Sequence, residues 1–560
     1  IPTLKLEPQF SDIFNTYQFH ELDLVNFIQS GRNWYGEVFD ANLTQSFLFN
    51  FPNIVENSEV YIKASLAARS FSPSSFHLSY NGSQIMSVSL NSVTSGFETD
   101  YASLASISGD VLADADDVNI TLTFDRNSSS HKGWLDYIEI SALRNLIMTG
   151  SQMNFRKTID TDQDQLYSLI IDNFSEIHKV WNVTDPTNVK QHAMSFYSNN
   201  KFSLDYDVFS GFSDEKFIAF DGSDYLTPNI LGKVNNQNLH ADTDFDMLIV
   251  CHPDFIAAAN KLSNFHLNNT GKKCKIVTPQ QIYNEFSSGK QDISAIRDYC
   301  RYLYNIPSSN FKYLLLIGDA SYDPKDRILN NTNFIITYQS HNSTSPLNTY
   351  ATDDYFGCLD LDEGLFQNDL IDIGIGRLPS KSLSEANSMV DKIINYYSKS
   401  SQGDWKNMVC FIADDGDDSD GNIHMTQAES LSNIVDDNYN TYNFQKIYLD
   451  AYNQESTPVG PRSEDAKLAI TNRINNGAIL VNYTGHGGEG GLTQERIVDV
   501  DQILGWNNYD KLPLFVTATC EFGRFDNPDL TSAGEHIILN PNGGGVALLT
   551  TTRYVYSHLN

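Results

Sequence analysis

Two stretches decide how this sequence folds: Gly477-Ala478-Ile479-Leu480-Val481-Asn482-Tyr483-Thr484-Gly485-His486-Gly487-Gly488 and Leu512-Pro513-Leu514-Phe515-Val516-Thr517-Ala518-Thr519-Cys520-Glu521-Phe522. Each is a short apolar run, rich in β-branched residues and bounded by turn signals, which predicts a central strand of a parallel sheet covered on both faces. Each closes on a reactive side chain, His486 in the first and Cys520 in the second. Open α/β sheets bind ligands beyond the carboxyl ends of their strands, so the two residues are candidate partners in one site.

The chemistry asks for this pairing. A free thiol titrates near about 8.5, and an imidazole that accepts its proton raises the nucleophilic fraction at neutral pH. Glycines on either side of His486 let backbone approach a substrate closely, and the N–H groups of Gly487 and Cys520 are candidate donors to an oxyanion.

Outward from these strands the pattern alternates between strand and helix. Met247 to Cys251, Cys274 to Val277 and Tyr313 to Ile317 read as strands, Asp254 to His266 and Ile293 to Tyr304 as helices, which implies a mainly parallel sheet. Ser382-Leu383-Ser384-Glu385 has capping-box spacing ahead of the apolar stripe Leu383, Ala386, Met389, Val390 and Ile393. A second α/β block starts near Met408-Val409-Cys410-Phe411-Ile412. The expected division is 241–405 for one α/β subdomain and 406–560 for a second that carries both reactive residues. Residues 1–145 read as a jelly-roll-like antiparallel β-sandwich, with strands at Ser46 to Asn50, Val60 to Ala64, Val118 to Phe124 and Trp134 to Ile140. Residues 146–240 read as a separate small β module.

At 560 residues the chain is too long for one core. Lys plus Arg number 37 against 70 Asp plus Glu, a net charge of −33 that repels nucleic acid and anionic membranes. No apolar run reaches the roughly 18 residues of a membrane span. The chain starts at Ile1 without an initiator Met and stops just after a strand-like run from Gly545 to Thr551, so the native polypeptide is expected to continue. The six cysteines, at 251, 274, 300, 358, 410 and 520, form neither a C-x-x-C motif nor a disulfide framework, and five of them read as core thiols. Cys251-His252 is a second Cys/His juxtaposition, but neighbours on a strand point to opposite faces and cannot serve each other as nucleophile and base.

A strand ending in His-Gly followed by a strand ending in Ala-Thr-Cys resembles the caspase-like superfamily of cysteine peptidases. Asn482 to Gly488 and Thr517 to Phe522 look like the gingipain family within it. Ile317-Gly318-Asp319-Ala320-Ser321-Tyr322-Asp323, Thr352 to Phe356, Gly374 to Pro379 and Leu549 to Arg553 are similar to the branch of that family that acts as C-terminal-signal peptidase, or sortase, in the type IX secretion system of Bacteroidetes. The resemblance spans roughly 240 to 560. It implies a peptidase domain of two stacked α/β subdomains and a Cys520–His486 dyad that needs no cofactor for catalysis. It further implies removal of C-terminal signal domains from secreted cargo, followed by transfer of the product to an amine on anionic lipopolysaccharide. The partners it implies are an outer-membrane β-barrel shuttle protein and other attachment components, at the outer face of the outer membrane. A general secreted protease and an inactive surface-binding protein are the rival readings.

The acidic loop Asp414-Asp415-Gly416-Asp417-Asp418-Ser419-Asp420 follows the strand Val409 to Ala413. Gingipains carry a carboxylate behind the histidine and bind structural calcium, so two roles stand beside that of a solvated loop. Asp420 is the residue taken as orienter of His486, and Asp414, Asp415, Asp417 and Asp418 are the candidate calcium ligands. Glu521 either lines the substrate pocket or holds a neighbouring loop.

Overall fold

Along Asp117–Asp125 every second side chain, Val118, Ile120, Leu122 and Phe124, is buried, the period of a half-covered strand. The computed structural model describes residues 8–175, 177–364, 369–416, 420–458 and 460–556. They form two compact units, one within residues 8–26 and 34–234, the other within residues 27–33 and 235–556.

The first unit is all β. Its widest sheet has nine strands, with Ile13–Glu21, Lys132–Asn145, Glu59–Arg69 and Ser103–Leu112 as successive neighbours. A four-stranded sheet of Thr44–Asn50, Asp117–Asp125, Ser74–Tyr80 and Ser83–Leu90 packs on it, and Ile62, Ala64, Ile138 and Ile140 meet Phe76, Leu78, Ile120 and Leu122 in one core. The expected break at 145/146 is not a break in the sheet. Ile13–Glu21 pairs with Lys132–Asn145 along its length and, through Asn15 and Arg156, with Gln152–Thr161. The nine-stranded sheet therefore runs through the region assigned to a separate module. A smaller sheet containing Gln165–Ile171 and Lys201–Val208 covers that end, with Phe14, Phe155, Leu169, Leu204 and Phe217 between.

The second unit holds two parallel sheets. The first orders its strands Cys274–Val277, Met247–Cys251, Tyr313–Ile317 and Gly374–Leu378; the second orders Asn443–Tyr448, Met408–Ala413, Leu480–Thr484, Leu514–Ala518 and Ala547–Leu549. Helices Ile256–Thr270, Ile293–Tyr304 and Leu383–Tyr396 accompany the first sheet, and Ile423–Asn438, Glu464–Asn476 and Ala533–Leu539 the second. The capping box at Ser382 forms, the Ser382 hydroxyl accepting from the Glu385 N–H at 3.3 Å and Glu385 accepting from the Ser382 N–H at 3.1 Å. Lys392, from the helix of the first sheet, donates to the carbonyls of Ile537, Ile538 and Asn540 at 2.8 to 3.2 Å. That ammonium caps the last turn of Ala533–Leu539 and ties the two sheets' layers together.

Residues 27–33 pack within this second unit, far from it in sequence. Arg524 donates to the carbonyls of Ile28 and Gln29, and Arg553 Nε donates to Ser30 Oγ at 2.8 Å. Gly31 sits at φ 81°, and a Cβ there would lie 1.9 Å from the Asn342 carbonyl oxygen, so both conformation and space demand glycine.

Candidate active site

The two strands singled out by sequence lie side by side in parallel, Thr484 facing Ala518, and the Gly485 N–H bonds to the Ala518 carbonyl at 3.2 Å. His486 and Cys520 each come two residues beyond that matched pair. They leave neighbouring strands, about 4.8 Å apart, at the same height on the carboxyl edge.

Past the strand, the chain turns into a small meander of Gly487–Gly488, Gly491–Leu492 and Val498–Asp499. The Thr493 N–H bonds to the His486 carbonyl at 3.0 Å, which makes the facing Gly487/Leu492 pair the non-hydrogen-bonded kind. The Gly487 N–H is therefore turned out of the ladder, as an oxyanion donor must be. A Cβ at Gly487 would stand 2.5 Å from Thr519 Oγ1, the residue before Cys520, so glycine is what lets the histidine turn close on the cysteine strand.

Two carboxylates meet His486 directly, and two more lie beside one of them. Asp420 Oδ2 lies 2.9 Å from His486 Nε2, bringing the sequence-selected orienter onto the ring. Asp414, 3 % exposed, accepts the His486 backbone N–H at 2.9 Å and the Asp415 N–H at 3.1 Å. Burial pushes the Asp414 carboxyl up to about 7, against the pull of the His486 N–H and imidazole. Asp415 and Glu495 complete a group whose carboxylate oxygens lie within 4.8 Å of those of Asp414. Asp417 and Asp418 lie outside the described residues.

The cysteine side is held by the segment after Ala547–Leu549. Glu521 N–H bonds to the Arg553 carbonyl at 3.2 Å and Gly523 N–H to the Thr551 carbonyl at 3.0 Å, while Thr517 and Thr550 share a hydroxyl bond at 2.7 Å. The Val555 backbone touches Cys520 Sγ at 3.5 Å through both its N–H and its carbonyl. Arg553 is itself clamped by a buried bidentate pair with Asp526, at 2.8 and 2.6 Å, and Asp526 also accepts from Gln339 at 2.6 Å.

Glu521, directly after Cys520, adopts φ 49°, a left-handed conformation that costs a non-glycine residue of order 1 kcal/mol and is over-represented at functional sites. Its carboxylate is 12 % exposed and pairs with Arg524 at 3.1 Å. Arg524 reaches on to Glu489 at 3.7 Å, and Asn527 donates to Glu489 at 2.7 Å. Through Arg524, Glu521 is thus linked to Glu489 in the turn after His486. A cleft of about 770 Å³ opens beside this edge, lined by Tyr350, Phe525, Thr551, Arg553, Tyr554 and Val555 among others. Neither Cys520 nor His486 lines it; Val555 is its link to the thiol.

Two features escaped the sequence. Asp414 serves a backbone N–H, a role no side-chain motif announces. His424, 5 % exposed in the first turn of Ile423–Asn438, meets the His486 ring edge to face at 5.0 Å, and its only signal was its spacing of four from Asp420.

With a cysteine and a histidine at equivalent ends of adjacent parallel strands, the second unit has the layout of a caspase-like cysteine peptidase. Residues 240–560 match the model of Peptidase family C25, and the chain belongs to that family. Among solved structures it is similar to dimeric latent PorU from Porphyromonas gingivalis, at 25 % identity and a TM-score of 0.63, over 72 % of this chain and 40 % of that one. The chain thus spans less than half the length of that relative. The complex of pro- and mature domains of RgpB from the same organism aligns at 18 % identity and a TM-score of 0.42, covering 56 % and 64 % of the two chains. Gingipain R (RgpB) itself aligns at 19 % identity and a TM-score of 0.41, covering 57 % and 66 %. No curated protein sequence matches. Among the described residues, no helix is long and apolar enough to cross a membrane.

Proposed function

We propose that this chain is a cysteine endopeptidase of the C-terminal-signal type. Cys520 attacks the scissile carbonyl, His486 carries the thiol proton to the leaving amine, and the N–H groups of Gly487 and Cys520 hold the oxyanion. Asp420, on Nε2, keeps the imidazole oriented and stabilises its protonated form, so the proton traffic with the thiol runs through Nδ1. The observation that carries this reading is the equal register of His486 and Cys520 beyond the Thr484/Ala518 pair, with a carboxylate on the histidine.

The substrate belongs to the same proposal, supported by the likeness to PorU: secreted cargo bearing a C-terminal signal domain. An amine of anionic lipopolysaccharide then resolves the acyl-enzyme in place of water. The proposed setting is the outer face of the outer membrane of a Bacteroidetes bacterium, beside a β-barrel shuttle protein and other attachment components, without nucleic acid. Structural calcium is part of the proposal as well. The all-oxygen donor set of Asp414, Asp415 and Glu495 suits that ion, which would brace the turn leading into His486.

The test is the intact mass of a cargo carrying its signal domain, after incubation with the wild type and with Cys520→Ala. Loss of the signal domain with the wild type alone is expected, and an added amine on the product marks transfer. Equal cleavage by both proteins would remove Cys520 from the mechanism. Indiscriminate degradation of unrelated proteins would point to a general protease.

A further inference from the structure

His424 lies against the catalytic candidate without a place in the mechanism above. It projects from the first turn of Ile423–Asn438, Asp420 from the loop before that helix, and His486 from the turn after Leu480–Thr484. The Asp420 carboxylate lies between the two rings, with Oδ2 at 2.9 Å from His486 Nε2 and 3.4 Å from His424 Nε2. The rings cross at 83°.

We propose that Asp420, His424 and His486 form a binding site for a divalent transition-metal ion of the zinc class, and that an ion held there switches the peptidase off. One ligand atom from each residue lies within 4.8 Å of the others. A tetrahedral zinc with bonds of about 2.0–2.2 Å spaces its ligand atoms roughly 3.3–3.5 Å apart, so small side-chain adjustments bring the three donors onto one ion. Two imidazoles and a carboxylate suit zinc, whereas calcium and magnesium take oxygen shells, which sets this group apart from Asp414, Asp415 and Glu495. His424 is buried, while His486 and Asp420 have side chains 45 % and 32 % exposed. The ion therefore has a route in from solvent, with a coordination position left for water, as in zinc sites of three protein ligands.

The switch follows from proton accounting. Coordination takes the Nε2 lone pair of His486, so a neutral ring moves its proton to Nδ1 and an imidazolium releases one proton to solvent. In either case the ring carries a fixed proton on Nδ1 and has no free nitrogen to accept the thiol proton. Asp420 is drawn from the ring to the ion. The binding claim stands apart from the peptidase reading, and the switching claim rests on it.

The test uses the full chain as Cys520→Ala, which removes the thiol as a competing ligand, titrated with Zn²⁺ by calorimetry and with Co²⁺ by visible absorption. One equivalent of cobalt with the intense absorption of a four-coordinate site is expected. His424→Phe, which keeps ring volume, and Asp420→Asn, at a part-exposed position, should each weaken binding by more than about tenfold, with thermal unfolding checked for both. Zinc inhibition of the active wild type should weaken by a similar factor when His424→Phe is introduced. Absence of binding to Cys520→Ala, or equal cobalt affinity in Asp420→Asn, overturns the site. Binding that leaves peptide cleavage untouched overturns the switch alone.

Discussion

The two parallel sheets of the second unit each bring a cysteine and a histidine to their carboxyl edge, and they do opposite things with them. In the first sheet, Cys251 ends its strand fully buried, donates to the His252 carbonyl at 3.2 Å, and has its thiol pushed up to about 12 by burial. His252 precedes Pro253 and uses its ring to cap a short helix, accepting from the Asp254 N–H at 3.4 Å. In the second sheet, the histidine precedes two glycines and opens toward solvent, with a carboxylate on its ring. Residue types alone do not make a nucleophilic pair. Placement on adjacent strands, access to water and a turn without side chains are what separate the proposed Cys520–His486 pair from Cys251 and His252.

The largest effect that would break this contrast is a paired substitution. Cys520→Ala is expected to lower kcat/KM by about 10⁴-fold or more without loss of fold, while Cys251→Ala leaves kcat/KM within about twofold. Peptide cleavage assays of the two variants, each checked by circular dichroism, decide it. Equal losses would mean that both edges, or neither, hold the chemistry.

Gly487→Ala sharpens the comparison at the turn. Its Cβ, 2.5 Å from Thr519 Oγ1, should displace the N–H of the proposed oxyanion site and cost about 10²-fold in kcat with little change in KM. Adding Thr519→Ala removes the opposing atom and should restore part of the loss. Failure of the double variant to recover would place the fault in backbone conformation.

The smallest effect belongs to the sealed edge of the first sheet. Asp319 follows the strand Tyr313–Ile317 with no exposure, 3.5 Å from Lys381 and within electrostatic reach of the buried Glu535. Burial outweighs the pull of Lys381 and, with Glu535 beside it, holds its carboxyl well above the usual carboxylate range. A carboxyl raised on folding binds its proton more tightly in the native state. Its stabilising contribution is therefore complete below the ordinary value of about 4 and is lost as pH rises through the raised one. Unfolding temperature should fall as pH rises from about 4 through the raised range, and Asp319→Asn should flatten that slope; a slope unchanged in the variant would assign it to other groups.

The strands that carry His486 and Cys520 were legible because a fully buried parallel strand writes itself as a continuous apolar run, and a glycine-flanked histidine at its end is a rare stop. The helices beside the first sheet were legible through periodicity and, at Ser382, through capping chemistry. Asp420 was readable only as one of several acidic residues in a stretch with no period, and its 2.9 Å approach to His486 Nε2 depends on contacts no local pattern records. The continuous nine-stranded sheet of the first unit was hidden for another reason. Ile13–Glu21 joins strands more than a hundred residues away on both sides, and nothing local to Leu146 shows that a neighbour is shared.

The short segment 27–33 has a consequence for how the molecule is made. Arg524 meets the Gln29 carbonyl across 495 positions of chain. A ribosome adding about 5–20 residues per second needs roughly half a minute to a minute and a half to cover that interval. Until then, residues 27–33 wait without the guanidinium groups that will hold them, and their contacts to the turn beside Cys520 form only after residue 524 has been made.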